Sequence, residues 1–436
     1  MLRWGMPALL AVVLGVVGGC GGADPATAPS PAATPITSTT TDETTPEPPD
    51  PHSGPAATSR PGTASTPVPE AAVPPTPATT PIPSPTPTPT PTPPRQARLA
   101  FTGDLLSHSS VFNRAEVYGG DELAYDYRPM FEPVAATLSG ADLAICHLET
   151  PLSPDNQNLS GYPVFNAPGD LAVAIAEVGY DGCSTASNHS LDKGTAGIAA
   201  TLDLLDQADL GHAGMARTFD EATTPTLYAV NGITIGHLSY TYGLNGFIRP
   251  ADRPWVVNVI STQDILAEAR AAIGAGADFV VLSIHWGTEY RTAPSAHQRA
   301  LAEELLAGDE IDLIVGSHAH VIQPVDLVNG NYVIYGLGNF LSNQSPQSCR
   351  SCPPGSTDGV IVVVELSESE SGRIQVEAIE AVPTWVDRRT FTIIDVVGAL
   401  ANDTHPDLTP QLEQSRDRTT TTLRSHGIDV KVVTRQ

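Results

Sequence analysis

Several residues able to bind metal fall where apolar runs end. Asp104 follows RLAFTG, and His147 and Glu149 follow DLAIC. Asn188 and His189 follow DGCSTAS, His285 follows FVVLSI with Glu289 four residues on, and His318 and His320 follow DLIVGS. Carboxylates and a side-chain amide are hard oxygen donors, and imidazoles suit zinc, iron or manganese. A carboxylate bridging two divalent ions gives the geometry of two-metal hydrolysis, in which a bound water becomes a nucleophile near neutral pH. His318-x-His320 is the strongest local piece, because two histidines two apart in a strand-to-loop turn can face one site. Asn188-His189 places a neutral amide ligand beside an imidazole free to act as an acid or to stabilise charge. His108, His212, His237 and His297 lie outside such patterns and read as ordinary structural or surface histidines.

Those groups need a scaffold that gathers strand ends. Strand-like runs are Arg98–Thr102, Asp142–His147, Asp181–Ala186, Phe279–His285 and Leu313–Gly316. They alternate with helical patterns over Pro129–Leu138, Asp170–Val178, Thr195–Gln207, Thr262–Ile273 and Ser295–Leu306. Asp170 reads as an N-cap and Gly179 as a helix stop. Asn231-Gly232 and Asn329-Gly330 mark hairpins, and Gly359–Glu365 with Arg373–Ala381 makes a third. The expected fold is α/β, with mixed sheets at the core and helices outside. In such sheets ligands bind beyond the carboxyl ends of the strands, where residues distant in sequence converge. Residues past about 396 are polar and weakly patterned, and read as a tail with one short helix.

The 436 residues include 41 prolines, concentrated before residue 95. Residues 21–96 form a Pro/Thr/Ser/Ala spacer ending in a Thr-Pro repeat, a composition that cannot bury apolar surface and stays extended. Residues 1–20 read as a secretory signal: Arg3, a short apolar run, then Val17-Gly18-Gly19-Cys20. This tetrapeptide resembles a bacterial lipobox, which implies cleavage before Cys20, lipidation of its thiol and an extracytoplasmic, membrane-anchored domain over 97–395. The net charge of −26, from 22 Lys+Arg against 48 Asp+Glu, argues against a nucleic-acid partner. Cys146 and Cys183 read as buried free thiols. For Cys349 and Cys352 a local disulfide competes with half of a zinc site, and the absence of a second CxxC favours the disulfide.

The chain resembles the CapA family of poly-γ-glutamate capsule biosynthesis proteins, which look like calcineurin-type metallophosphoesterases. The stretches that carry the resemblance are GDLLSH (103–108), HLETPLS (147–153), SNHSLDKG (187–194), SIHWGTEY (283–290), GSHAHVIQP (316–324), YGLGNF (335–340) and PTWVD (383–387). The resemblance implies a metallophosphoesterase-like αββα sandwich holding two divalent ions, Mn, Zn or Fe. Asp104 would be the first-strand ligand and Glu149 the bridging carboxylate. Asn188, His285, His318 and His320 would complete the shells, and His189 would be the catalytic histidine. Trp286, Gly287 and Glu289 would line the site, with Asn339 and Phe340 at its mouth or beneath it. Two departures stand out. His147 replaces the family's usual Asn before Leu-Glu, adding a ligand or only a hydrogen bond. Leu106 replaces the second ligand of the superfamily's Asp-x-His, for which His108 or His147 could compensate. The family implies handling of poly-γ-glutamate or another surface polymer, with capsule-synthesis membrane proteins as partners. A metal-dependent hydrolase or extracytoplasmic phosphoesterase is one expectation. A non-catalytic component of a polymer export or anchoring complex is another.

Overall fold

The computed structural model describes residues 93–434. The lipobox with Cys20 and the spacer through residue 92 lie outside the described residues. Two mixed sheets stack face to face. The larger has nine strands. Its centre is Gln96–Leu105, paired in parallel with Leu143–Leu148, which is followed outward by Gly182–Ser184 and Gly211–Ala213. On its other side run the antiparallel Asp358–Glu368, Ile374–Val386 and Ile393–Asp395. Asn339–Leu341 also lies parallel beside the central strand. The second sheet has six strands, with Ile233–Thr241, Phe279–His285, Leu313–Ser317 and Asn331–Ile334 parallel in its middle and an antiparallel strand on each edge.

Side-chain parity builds the layers. Alternate residues of a strand face opposite sides. Leu99, Phe101, Leu143 and Ile145 therefore meet Phe279, Val281, Leu313 and Val315 between the sheets. Ala100, Ala144 and Cys146 face outward onto Met130, Phe131, Ile175, Ile198 and Leu202 of the helices Arg128–Ser139, Asp170–Glu177 and Gly194–Gln207. Val280, Leu282 and Ile284 face the opposite way, onto Ile265 and Ala269 of Thr262–Gly274 and Leu301 and Leu305 of Ala296–Leu305. The result is the expected αββα sandwich.

Four local expectations change. The fold begins earlier than residue 97: the strand starts at Gln96, and the Arg95 guanidinium donates to Gly232 O at 2.8 Å and to Glu368 at 3.0 Å. The C-terminal region is packed rather than loose. It forms helices Val396–Asn402 and Thr409–Leu423 and a strand, Lys431–Val432, that pairs with Ile374–Val386. Its signal was weak because the inward face of Thr409–Leu423 is Leu412, Ser415, Thr419 and Leu423, half of it small and polar. Cys146 and Cys183 are not free thiols. They stand opposite each other on adjacent parallel strands and form a disulfide. Asp170 is the first helical residue, Gly169 being the cap, and its carboxylate accepts from Asn156 at 2.7 Å.

Candidate metal centre

The carboxyl ends of both sheets' central parallel strands point to the same end of the sandwich, and there the same parity places the ligands. Leu143 and Ile145 face between the sheets, so His147 does too; Phe279 and Val281 do the same for His285. The first strand needs a correction. Its register against the neighbour slips between Phe101 (opposite Ile145) and Asp104 (opposite His147). This irregularity brings Asp104, rather than Gly103, into line with His147. Gly103 is required at the slip, because a Cβ there would run into the carbonyl oxygen of Gly338. His318 and His320 sit in the left-handed region, at φ of 88° and 53°. Non-glycine residues rarely adopt that conformation, and it concentrates at functional sites.

The convergence is tight. His320 Nδ1 lies 2.8 Å from Asp104 Oδ2 and 3.1 Å from Asn339 Oδ1. The other carboxylate oxygen of Asp104 accepts the His318 N–H at 3.3 Å. Glu149 Oε1 is 3.7 Å from His320 Nε2. His147 Nε2 is 2.9 Å from His285 Nδ1, and His285 Nε2 is 3.1 Å from Asn188 Oδ1. Ligand atoms of Asp104, Glu149 and His320 lie within 4.8 Å of one another, as do those of Asp104, His147 and His285, and those of Glu289, His318 and His320. Asp104 belongs to two of these groups and His320 to two, so ions held by adjacent groups would share ligands.

The electrostatics fit divalent cations. Both Glu149 oxygens and His318 Nδ1 are buried without a hydrogen-bond partner among the described residues, a costly arrangement for polar groups that nothing compensates. Burial pushes Glu149 well above the usual carboxylate range. Burial also lowers His147 to about 4 and His318 to about 3, and drives His285 well below its ordinary value. Neutral imidazoles with free lone pairs are the form that binds metal. His320 differs: burial disfavours its charge, but Glu149 and Asp104 outweigh it and raise His320 to about 9. Burial works against the Asp104 carboxylate as well, yet the hydrogen bond and charge of His320 hold it below its ordinary value.

The remaining predicted residues divide. His189 is buried beside the cluster, its Nδ1 2.8 Å from Asp192 Oδ2. Asn339 lies beneath the site, orienting His320. Glu289 joins the rim. Trp286 does not line the site; its indole is buried in the outer core and donates to Tyr335 O at 3.0 Å. Gly287 serves the turn, with φ of 100° and Gln298 where a side chain would stand. Leu106 is buried, and among the described residues no histidine directly takes over the ligand role the resemblance implied there. His108 stays outside every ligand group and instead accepts the Asn343 N–H at 3.2 Å on the wall of the cavity above the centre, so it is more than an ordinary histidine. His147 does join a group with Asp104, and Ser184 holds its other ring nitrogen at 2.8 Å. Asp192 and Ser184 were missed. Asp192 follows His189 by three residues, a spacing that a tight turn would have signalled; Ser184 emerges only from strand register.

Known proteins are similar to this chain in sequence. Residues 98–344 match the family described as "Bacterial capsule synthesis protein PGA_cap". The chain is 26% identical over 313 residues to the PGA biosynthesis protein CapA of Bacillus subtilis, covering 70% of this chain and 78% of that one. It is 28% identical over 255 residues to the capsule biosynthesis protein CapA of Bacillus anthracis, covering 56% of this chain and 60% of the relative. Among solved structures it is similar to the calcineurin-like phosphoesterase YfkN from Bacillus subtilis, with a TM-score of 0.41 and 14% identity over 74% of this chain and 100% of that one. The family match spans the strand ends from Asp104 to His320, and the chain belongs to the bacterial capsule synthesis PGA_cap family.

Proposed function

We propose that this protein acts in the synthesis of a poly-γ-glutamate or similar capsule polymer through a metal-dependent hydrolase-type centre. The observation that carries the reading is Glu149: a fully buried carboxylate with no hydrogen-bond partner among the described residues, 3.7 Å from the His320 imidazole. Asp104, Glu149 and His320 would hold one divalent ion, Mn, Zn or Fe. Asn188, His285 and His318 would hold a second, with His147 beside Asp104. Such ions, when bound, polarise the scissile phosphoryl or acyl group and make a hydroxide nucleophile available. The chain's own residues supply the rest. Asp192 accepts the Nδ1–H of His189; when the ring carries its second proton, the Nε2–H passes to the departing oxygen or nitrogen and leaves the neutral Nδ1–H ring. Asn245, 3.4 Å from that nitrogen, steadies the ring. Ser184 fixes His147, and Asn339 fixes His320, as outer partners do for metal-bound imidazoles.

Placement outside the cytoplasm by a lipid on Cys20 is part of the same proposal. Its support is the pair of disulfides, Cys146–Cys183 and Cys349–Cys352, which belong to oxidising compartments. Among the described residues no helix is long and apolar enough to cross a membrane. A non-catalytic role in an export or anchoring complex draws on one observation, the buried Leu106 where a ligand would complete the first position.

The test combines elemental analysis of the purified chain with hydrolysis of bis(p-nitrophenyl) phosphate and of γ-glutamyl amides, comparing wild type with His189→Ala. Bound metal and turnover that His189→Ala abolishes support the reading. A metal-free, inactive wild type sinks it.

A further inference from the structure

Above the metal centre opens a cavity of about 380 Å³, within the range of small-molecule sites. Its floor is His189 and His320, and one wall is the loop 343–351, tied by the Cys349–Cys352 disulfide. Tyr290, whose hydroxyl lies 3.6 Å from Cys352 Sγ, stands between loop and floor. The Tyr162 ring lines the mouth, and the residue is 78% exposed.

The polar groups on this wall are held in fixed directions. Asn343 Oδ1 is taken by Arg388, and Gln344 Oε1 accepts from Asn339 at 3.1 Å. Both residues line the cavity, and neither NH2 end makes a hydrogen bond among the described residues. Across from them Glu289 offers a carboxylate, which only accepts. Among the described residues no Lys or Arg lines the cavity. Arg388 is turned onto the carbonyls of Ser342 and Asn343, and Arg350 is exposed at the rim.

We propose that the group seated in this cavity, next to the bond acted on, is an uncharged sugar residue. A wall of fixed donors facing a fixed acceptor matches hydroxyls, which donate and accept together. A carboxylate-bearing unit could only accept, and would leave the Glu289 carboxylate without a donor. The flat C–H face of a pyranose fits the exposed Tyr162 ring, as apolar faces fit aromatic ones. The proposal rests on the metal-centre reading above and adds what lies beside the reacting group: the junction of a polymer with a glycan, rather than the middle of a polyanion.

The test uses the full chain loaded with Zn(II), and saturation-transfer NMR with three probes: N-acetylglucosamine tetramer, tetra-γ-glutamate and tri-alanine. The tetrasaccharide is expected to receive saturation, with its affinity falling about fivefold or more in Tyr162→Ala and in Gln344→Ala and kept in Tyr162→Phe. Tetra-γ-glutamate or tri-alanine binding as tightly and competing for the same place overturns the proposal, as does saccharide binding indifferent to Tyr162→Ala. Loss of tetra-γ-glutamate binding in Arg350→Ala would assign the cavity to polyanion instead. Turnover of bis(p-nitrophenyl) phosphate by the same sample separates the two readings. Turnover without saccharide binding overturns this proposal alone, and saccharide binding without turnover overturns only the hydrolase.

Discussion

Asp192 Oδ2 lies 2.8 Å from His189 Nδ1 while also accepting the Phe165 N–H at 2.7 Å, and its side chain is fully buried. One carboxylate thus fixes both the tautomer of His189 and the segment that packs Phe165 edge-on against its ring. Asp192→Asn keeps the shape and removes the preference for the Nδ1 proton. Turnover of bis(p-nitrophenyl) phosphate is expected to fall by about 10²–10⁴-fold, the range of general-acid contributions. Bound metal, read by elemental analysis, should not change. A parallel loss of metal would make Asp192 structural.

Glu149→Gln should act with opposite signs in two states. Without metal, the variant no longer buries an unpartnered carboxyl, so its melting temperature should equal or exceed the wild type's. With metal, the wild type gains about 2.7 kcal/mol at a hundredfold excess over Kd, and the variant should lose most of that shift. Thermal denaturation with and without Mn(II) reads both.

Glu268 lies away from the centre and gives a pH dependence free of metal. Burial raises its carboxyl to about 7, against the lowering effect of the hydrogen bond from Tyr240, which lies at 2.6 Å. The folded state then keeps a proton that the unfolded chain releases near 4.5. The stability this contributes is whole below about pH 4.5 and is lost as pH rises to about 7. The loss is at most about 3 kcal/mol. Urea denaturation of metal-free protein between pH 5 and 8 should show the slope, and Glu268→Gln should flatten it. An unchanged slope in the variant would assign the dependence elsewhere.

The Cys146–Cys183 bridge lies one residue before His147 and Ser184, on the opposite face of their strands. Replacing both cysteines by serine should cost about 3–4 kcal/mol from loop closure alone. Because His147 and Ser184 keep their register through the sheet, metal content should be retained. Denaturation midpoints and elemental analysis together check this.

Much of the scaffold was legible because its strands are apolar and its ligands follow them. Phe279–His285 shows both, a buried run and then an imidazole. The Cys146–Cys183 bridge was not legible, since pairing across parallel strands depends on a register that spacing does not reveal. The Thr409–Leu423 helix was hidden because threonine and serine fill half of its inward face. Asp104 was found by type, but its aim depends on a register slip that no local pattern announces. His108 passed for an ordinary histidine because its role in the cavity comes from Asn343, far along the chain.

The most direct measurement of the central claim is the metal content of the full chain after dialysis against metal-free buffer, by plasma mass spectrometry. Two equivalents of divalent transition metal are expected in wild type, and one or fewer in His320→Ala and Glu149→Gln. No retained metal, together with no thermal shift on adding Mn(II), Zn(II) or Fe(II), would contradict it.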